Sequence, residues 1–464
     1  MNKKSINKIS SVLGVLLLLL STANVNASTI SQTNVSTAVK SISYSSSIKI
    51  KDFGAHSIDE QGYSKFDSSS AINKAIQFAK QSGRNSIDFG NGRYYANNIL
   101  LESNITYFSI DDAEIISSSN IKVWESIFAA EHKSNIIIKG LKFNGNWDVV
   151  AGNDQEGSML VSLSTSKDVS IENCYFYQNK FSAISIQSNC NNITIKNNEI
   201  KDTDCGIITV HEASNYITID NNIIYGNKMK VSEPIAIYNS NKNGLAHDIT
   251  ITNNTVYGKV YATGILVTNA VKVLIKNNNI YNCDLGIGIG VSSPTDSSVT
   301  ICKNITITKN NIYDCISGGI TAEVADSSIY SNIIHDIVGS GITLTASHAN
   351  TFSTNTKIYD NTVTNTNSKV GNYEPAIRLQ KSLNCVIENN IVRDTRVNPN
   401  NFCAIQVQGK DCNYNVVQNN KELGNLLKGG YSIYIQDAKN TTVKNNKANV
   451  LNQGTGTSSI GNKI

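Results

Sequence analysis

The chain has 464 residues, 16% of them charged and 7% aromatic, with a formal net charge of +4. So even a balance gives no broad basic surface for nucleic acid or an anionic membrane, so any recognition of a charged ligand must be local. Nine cysteines come without a Cys-x-x-Cys pair, a His-Glu-x-x-His run or a P-loop, so the sequence carries no signature of a structural zinc or nucleotide site.

In chain order, residues 1–27 read as a secretory signal peptide. Lys3, Lys4 and Lys8 form a basic start, Val12 to Leu20 an apolar run, and Ala27 a small residue at the cleavage position. The run is well short of the roughly 18 residues a membrane span needs. The expectation is an exported, secreted or surface-held chain with no membrane span. Without the signal, 37 basic residues face 36 acidic ones. A Ser/Thr-rich stretch, 28–47, reads as a linker. In "DSSSAINKAIQFAKQSG" (67–83), Ile72, Ala75, Ile76 and Ala79 recur at three- and four-residue spacing. This predicts a helix over about 70–82, with the serines at its start and Gly83 at its end.

From about residue 86 the pattern alternates at period two and repeats every 22 to 32 residues. Each repeat carries an Asn pair after a short apolar strand: "NITIKNNEI" (192–200), "NYITIDNNIIYGN" (215–227), "DITITNNTV" (248–256), "KVLIKNNNI" (272–280) and "NITITKNNI" (304–312). Aligned on the second Asn, the series runs Asn198, Asn222, Asn254, Asn278, Asn310, Asn332, Asn361, Asn390, Asn420 and Asn446. A second motif, small-Ile-x-apolar, follows a variable loop, as in "GILVT" at 264 and "AIRLQ" at 376. A repeat this short cannot bury its own apolar face, so repeats must stack. The predicted fold is all-β: a single-stranded right-handed parallel β-helix over 48–464 with an asparagine ladder and an N-terminal capping helix. Asn tolerates the left-handed backbone of a sharp bend, and its inward amide bonds the same amide one coil away, at the roughly 4.8 Å strand spacing.

The stretches "DFGAHSIDEQGYSKFDSSSAINKAIQFAKQSG" (52–83), "IDFGNGRYYANNILLESNITYFS" (87–109) and "NIIIKGLKFNGN" (135–146) resemble the entry pattern of the pectin-lyase-like superfamily. The resemblance spans nearly the whole mature chain and implies the capping helix and the laddered β-helix. Polysaccharide lyases, glycoside hydrolases, uronan epimerases, tailspikes and adhesins share that fold, so function must be argued from a site.

Insertions gather at 144–157, 228–233, 292–303, 368–375 and 395–403. They flank strands whose outward residues form a column: Gln187, His211, Tyr238, Thr268, Gly290, Glu323, Thr345, Gln380, Gln408 and Gln436. The register at His211 is open by one residue. One candidate group joins His211, Glu212, Glu233 and Tyr238 to an acidic loop carrying Asp148, Asp154 and Glu156. A His and a Tyr one coil apart suit the base and acid of β-elimination on a uronate. Nearby carboxylates suit Ca²⁺ held against the substrate carboxylate. A second group, Glu323, Arg378, Gln380 and Lys381, offers a guanidinium for a substrate carboxylate, with Glu323 as its alternative structural partner. Tyr177, Tyr225, Tyr257, Tyr281, Tyr313 and His335 form a further column, read as repeat-driven stacking. Cys283 and Cys315 hold matching places one coil apart. They read either as a disulfide pair or, in better accord with the scattered spacing elsewhere, as buried thiols.

The leading reading is a secreted polysaccharide lyase that cleaves an acidic, uronate-containing glycan, with His211 and Tyr238 catalytic. Asp154, Glu156, Glu212, Glu233, Glu323, Arg378 and Gln380 would bind substrate, and Ca²⁺ is a candidate cofactor. The stretch "CGIITVHEA" (205–213) also resembles the uronan C5-epimerase motif in Gly206, His211 and Glu212. It departs from that motif with Cys205 in place of Tyr, Thr209 in place of Asp and Val210 in place of Pro. The alternatives are a glycoside hydrolase, needing two groove carboxylates about 5 to 10 Å apart, and a non-catalytic glycan-binding β-helix.

Overall fold

The structure, a computed structural model, describes residues 47–463 apart from 151–156, 227–232, 240–243, 259–261, 291–301, 348–350, 368–373, 398, 400–402 and 425–429. The predicted signal peptide, nearly all of the linker and most of the insertions therefore lie outside the described residues.

One coil shows how the chain is built. Ile208–Val210, Asn215–Asp220 and Ile223–Tyr225 are three short strands, and Ile235–Ile237 begins the next coil directly against Ile208–Val210. Repetition assembles three parallel sheets of 14, 19 and 13 described strands. Each strand alternates because one face must fill the interior. In the 19-stranded sheet Ile193, Ile217, Ile249, Val273 and Ile305 pair in line and are buried, while Thr194, Thr218 and Thr250 on the other parity face outward. A single apolar cluster runs from Ile48 to Ala448.

The ladder forms as predicted, but its two asparagines divide the work. The first of each pair takes the left-handed bend: Asn197, Asn221, Asn253 and Asn277 have φ of 56°, 53°, 57° and 57°. The second turns inward and is buried. Asn222 donates from its backbone N–H (2.9 Å) and its Nδ2 (3.0 Å) to Asn254 Oδ1, and Asn254 repeats both bonds to Asn278. Lys309, Ser331 and Asp360 take the bend where no first Asn is present, whereas the ladder position stays Asn. The series also continues one coil beyond Asn446, to Asn462.

Helix Ser69–Ser82 covers the first coil with Ile72, Ala75, Ile76 and Ala79 buried, and Gly83 ends it at φ 68°. Its start differs from the expected serine cap. Asp67 Oδ1 accepts the Ser69 N–H at 2.8 Å, because Ser68 Oγ is taken up by the backbone of His56. Among the described residues no helix is long and apolar enough to cross a membrane.

Candidate functional site

The outward column of the 14-stranded sheet is set by backbone bonds. The Gln187 N–H donates to Leu163 O, His211 N–H to Ile186 O and Tyr238 N–H to Val210 O, each at 2.7 Å. His211 therefore stands in line with Gln187 and Tyr238, which resolves the one-residue ambiguity. The His211 and Tyr238 rings stack, centroids 5.8 Å apart and planes 28° from parallel.

Their environments push them in opposite directions. Burial of the imidazole lowers the His211 pKa from 6.5, against the weaker pull of Glu212. Burial first, then the charge and hydrogen bond of Glu233, raise the Tyr238 pKa far above 10. Tyr238 Oη donates a short bond to Glu233 Oε2. At neutral pH the arrangement is a neutral imidazole able to take a proton beside a phenol that keeps one. Thr209 and Ser185, the outward residues one step back on the strands, are buried with their hydroxyls 3.3 Å apart. Glu212 lies in the turn after His211, half-buried. Asp154 and Glu156 lie outside the described residues. Among those described, no three His, Cys, Asp or Glu side chains converge as metal ligands.

The second group does not assemble as a unit. Arg378 forms an ion pair with Glu374, which also accepts from Ser340 Oγ at 3.0 Å. Glu323 is 2% exposed, and its Oε2 accepts from Ser347 N–H (2.9 Å) and Oγ (2.6 Å). The proposed Glu323–Arg378 partnership thus gives way to Glu374, which enters from the loop before Arg378's own strand rather than across two coils. Arg378 Nε is buried without a described acceptor. Gln380 Nε2 donates to Gln408 Oε1 at 2.8 Å and Gln406 Nε2 to Gln436 Oε1 at 3.1 Å, so these outward amides are occupied by one another. Six coils separate the Arg378 strand from His211, about 29 Å at the strand spacing.

A family model described as a right handed beta helix region matches residues 212–420. The A-module of the Azotobacter vinelandii mannuronan C-5 epimerase AlgE6 superposes with a TM-score of 0.57 at 14% identity, covering 90% of this chain and 99% of that one. The Streptococcus pneumoniae surface protein and adhesin PfbA gives 0.57 at 17%, covering 89% and 100%. A hyperthermoactive exopolygalacturonase from Thermotoga maritima gives 0.53 at 14%, covering 75% and 91%. No curated protein sequence matches the chain. The protein is a right-handed parallel β-helix. At these identities the likeness carries the fold alone.

In this β-helix the aromatic column is structural on its geometry. Tyr281 and Tyr313 stack at 4.9 Å and 3°, Tyr313 and His335 at 5.0 Å and 2°. The stacked faces cover one another, which leaves no platform for a sugar inside the stack. Lys201 interrupts the column between Tyr177 and Tyr225. Cys283 and Cys315 are free and buried, as are all the other cysteines except the half-buried Cys205.

The sequence column does not single out Glu374. Its signal is a dipeptide: Glu233-Pro234 and Glu374-Pro375 both lead into strands of this sheet, and in both cases the Glu turns back onto an outward residue, Tyr238 or Arg378.

Proposed function

We propose that the protein is an exported polysaccharide lyase acting on a uronate-containing glycan by β-elimination, with His211 as base and Tyr238 as acid. The observation that carries this reading is the stacked pair whose pKa values are driven apart, His211 down and Tyr238 up. The neutral imidazole takes the C5 proton of the uronate. The C5–H electrons become the C4=C5 double bond, the C4–O4 bond breaks, and O4 leaves with the proton of Tyr238. Glu233 positions the phenol and, by its negative charge, holds the proton on it until O4 develops charge. Glu212, at the turn beyond His211, and Asp154 with Glu156 are the carboxylates assigned to substrate or Ca²⁺. Arg378 and Gln380 would contact a long chain further along the same sheet. The solved neighbours include an epimerase and a polygalacturonase, which supports a carbohydrate-acting β-helix without selecting the reaction.

A second reading, a non-catalytic glycan-binding surface protein, is favoured by the self-paired Gln380–Gln408 and Gln406–Gln436 amides, which add neither acid nor base. The test is incubation with pectate, alginate and glycosaminoglycans while following ultraviolet absorbance of the unsaturated uronate. Absorbance that grows with wild type and not with His211→Ala supports the lyase. New reducing ends without absorbance would make it a hydrolase. Solvent deuterium entering C5 without cleavage would make it an epimerase, and binding without turnover would leave the second reading.

A further inference from the structure

From Asn135 to Asn440, each described coil of the 19-stranded sheet passes through a left-handed residue at one in-register position. That residue is Asn or Asp except at Tyr216, Lys272 and Tyr414. The preference has a physical cause: a short polar side chain tolerates this conformation and can bond its counterpart one coil away. Asn192 Nδ2 donates to Asp168 Oδ1 at 2.7 Å, and Asn355 Nδ2 to Asp326 Oδ1 at 2.9 Å. A bulky ring at φ 55° is strained, and strain of this kind persists where the surroundings or a function demand it. Burial does not demand it here, because Tyr216 is 54% exposed.

What surrounds Tyr216 is a groove of about 410 Å³, within the size range of small-ligand sites. Two of the three exceptional residues, Tyr216 and Lys272, line it, with Asp248 between them in the same column. Its floor includes Thr218, Thr250 and Leu274, paired in line on successive coils. His247 meets the Tyr216 ring edge-on at 5.7 Å and 84°, which fixes the ring while leaving more than half of it in solvent. Asp248 Oδ2 lies 2.7 Å from His247 Nδ1 and 3.8 Å from Lys272 Nζ, so donors and an acceptor stand together with their charges balanced.

We infer that this groove is a second glycan-binding site, taking a pyranose residue whose apolar face lies on Tyr216 while its hydroxyls reach Asp248, Lys272 and the threonine floor. An aromatic residue more than half exposed, flanked by paired charge and hydroxyls, matches the two-sided chemistry of a sugar. The site stands apart from the lyase reading, since His211 and Tyr238 belong to the 14-stranded sheet. Balanced charge admits neutral and uronate sugars alike, and the experiment separates them.

Full-length His211→Ala protein, which cannot consume its ligand by the proposed route, is titrated calorimetrically with a galacturonate hexasaccharide and, separately, with a neutral xylan hexasaccharide. At least one should bind, and adding Tyr216→Ala should weaken that binding about tenfold. Tyr216→Phe should retain it, and Tyr414→Ala, at an equally exposed position outside the groove, should not change it. Tyr216→Asn should lose the same binding without lowering Tm, since Asn suits the bend. Binding of one sugar alone identifies the ligand class. Failure of both sugars to bind, or binding by Tyr216→Ala and Tyr216→Asn equal to that with Tyr216 intact, overturns the site. So does a Tyr216→Asn protein with lowered Tm and intact binding, which would make the ring a packing element.

Discussion

Replacing Asn254 with leucine removes four hydrogen bonds from the interior of the β-helix, and the consequence can be worked group by group. Asn254 Oδ1 accepts from Asn222 N–H (2.9 Å) and Nδ2 (3.0 Å), while Asn254 Nδ2 donates to Ile219 O (2.9 Å) and Asn278 Oδ1 (3.0 Å). Two of the four partners keep other bonds. Asn278 Oδ1 still accepts the Asn254 backbone N–H at 2.9 Å, and Asn222 Nδ2 still donates to Ile195 O at 3.0 Å. The Asn222 N–H has its acceptor taken away inside the protein, and the Ile219 carbonyl loses a donor. A buried group left unsatisfied costs about 1–3 kcal/mol, so the expected loss is about 2–4 kcal/mol once the leucine's own burial is set against it. The measurement is equilibrium denaturation beside Asn462→Leu, at the partly exposed last rung, where water replaces the lost partners and the loss should stay below about 1 kcal/mol. Equal losses for the two variants, or a midpoint for Asn254→Leu indistinguishable from wild type, would refute the account of the ladder.

His211→Ala should lower lyase turnover by at least about 100-fold with Tm nearly unchanged, while Arg378→Ala acts mainly on KM and stability by leaving Glu374 without its cation; the opposite ranking would move the site to the Arg378 coil. Because the base works as the neutral imidazole and its pKa is lowered by burial, the acid limb of activity should fall below pH 6.5, and the alkaline limb, set by Tyr238, above pH 10. The same shift makes the unfolded chain bind more protons than the folded one below pH 6.5. Stability should therefore decline as pH falls from 6.5 through the lowered value, and His211→Asn should flatten that slope in denaturation measured across pH. Glu233→Gln removes a charge that raises the Tyr238 pKa, so ultraviolet titration should show one tyrosinate forming at lower pH than in wild type. A native-state thiol titration should find Cys205 reactive and the buried cysteines inert, with Cys174 and Cys385 thiols pushed up to about 12 by burial.

The repeat was legible because its physics is local in the sequence even though its contacts are not. A period-two apolar pattern, a bend that favours Asn and a length too short to bury itself leave stacking as the solution, and the positions from Asn198 to Asn446 all fell on the ladder. The column through Gln187, His211 and Tyr238 was legible to within one residue at His211, and the backbone bonds decided that choice. The sequence placed the rung at the second Asn but gave the left-handed bend to the same residue, whereas the first Asn of each pair takes the bend, and only backbone φ separates the two. Nor could the sequence tell that Glu374 rather than Glu323 holds Arg378, because a loop's return path depends on how it packs. The opposite shifts of His211 and Tyr238 likewise arise from burial and from Glu233, quantities that belong to the folded coil. Tyr216 lies between these cases: its identity stands plainly in "NYITID", but it becomes an exception only when stacking lines it up with the Asn and Asp of its neighbours. Sequence determined which residues share a column, because stacked strands preserve register. Tertiary structure decided which of them meet, are buried or stay exposed, because those depend on side-chain paths and solvent exclusion that register does not encode.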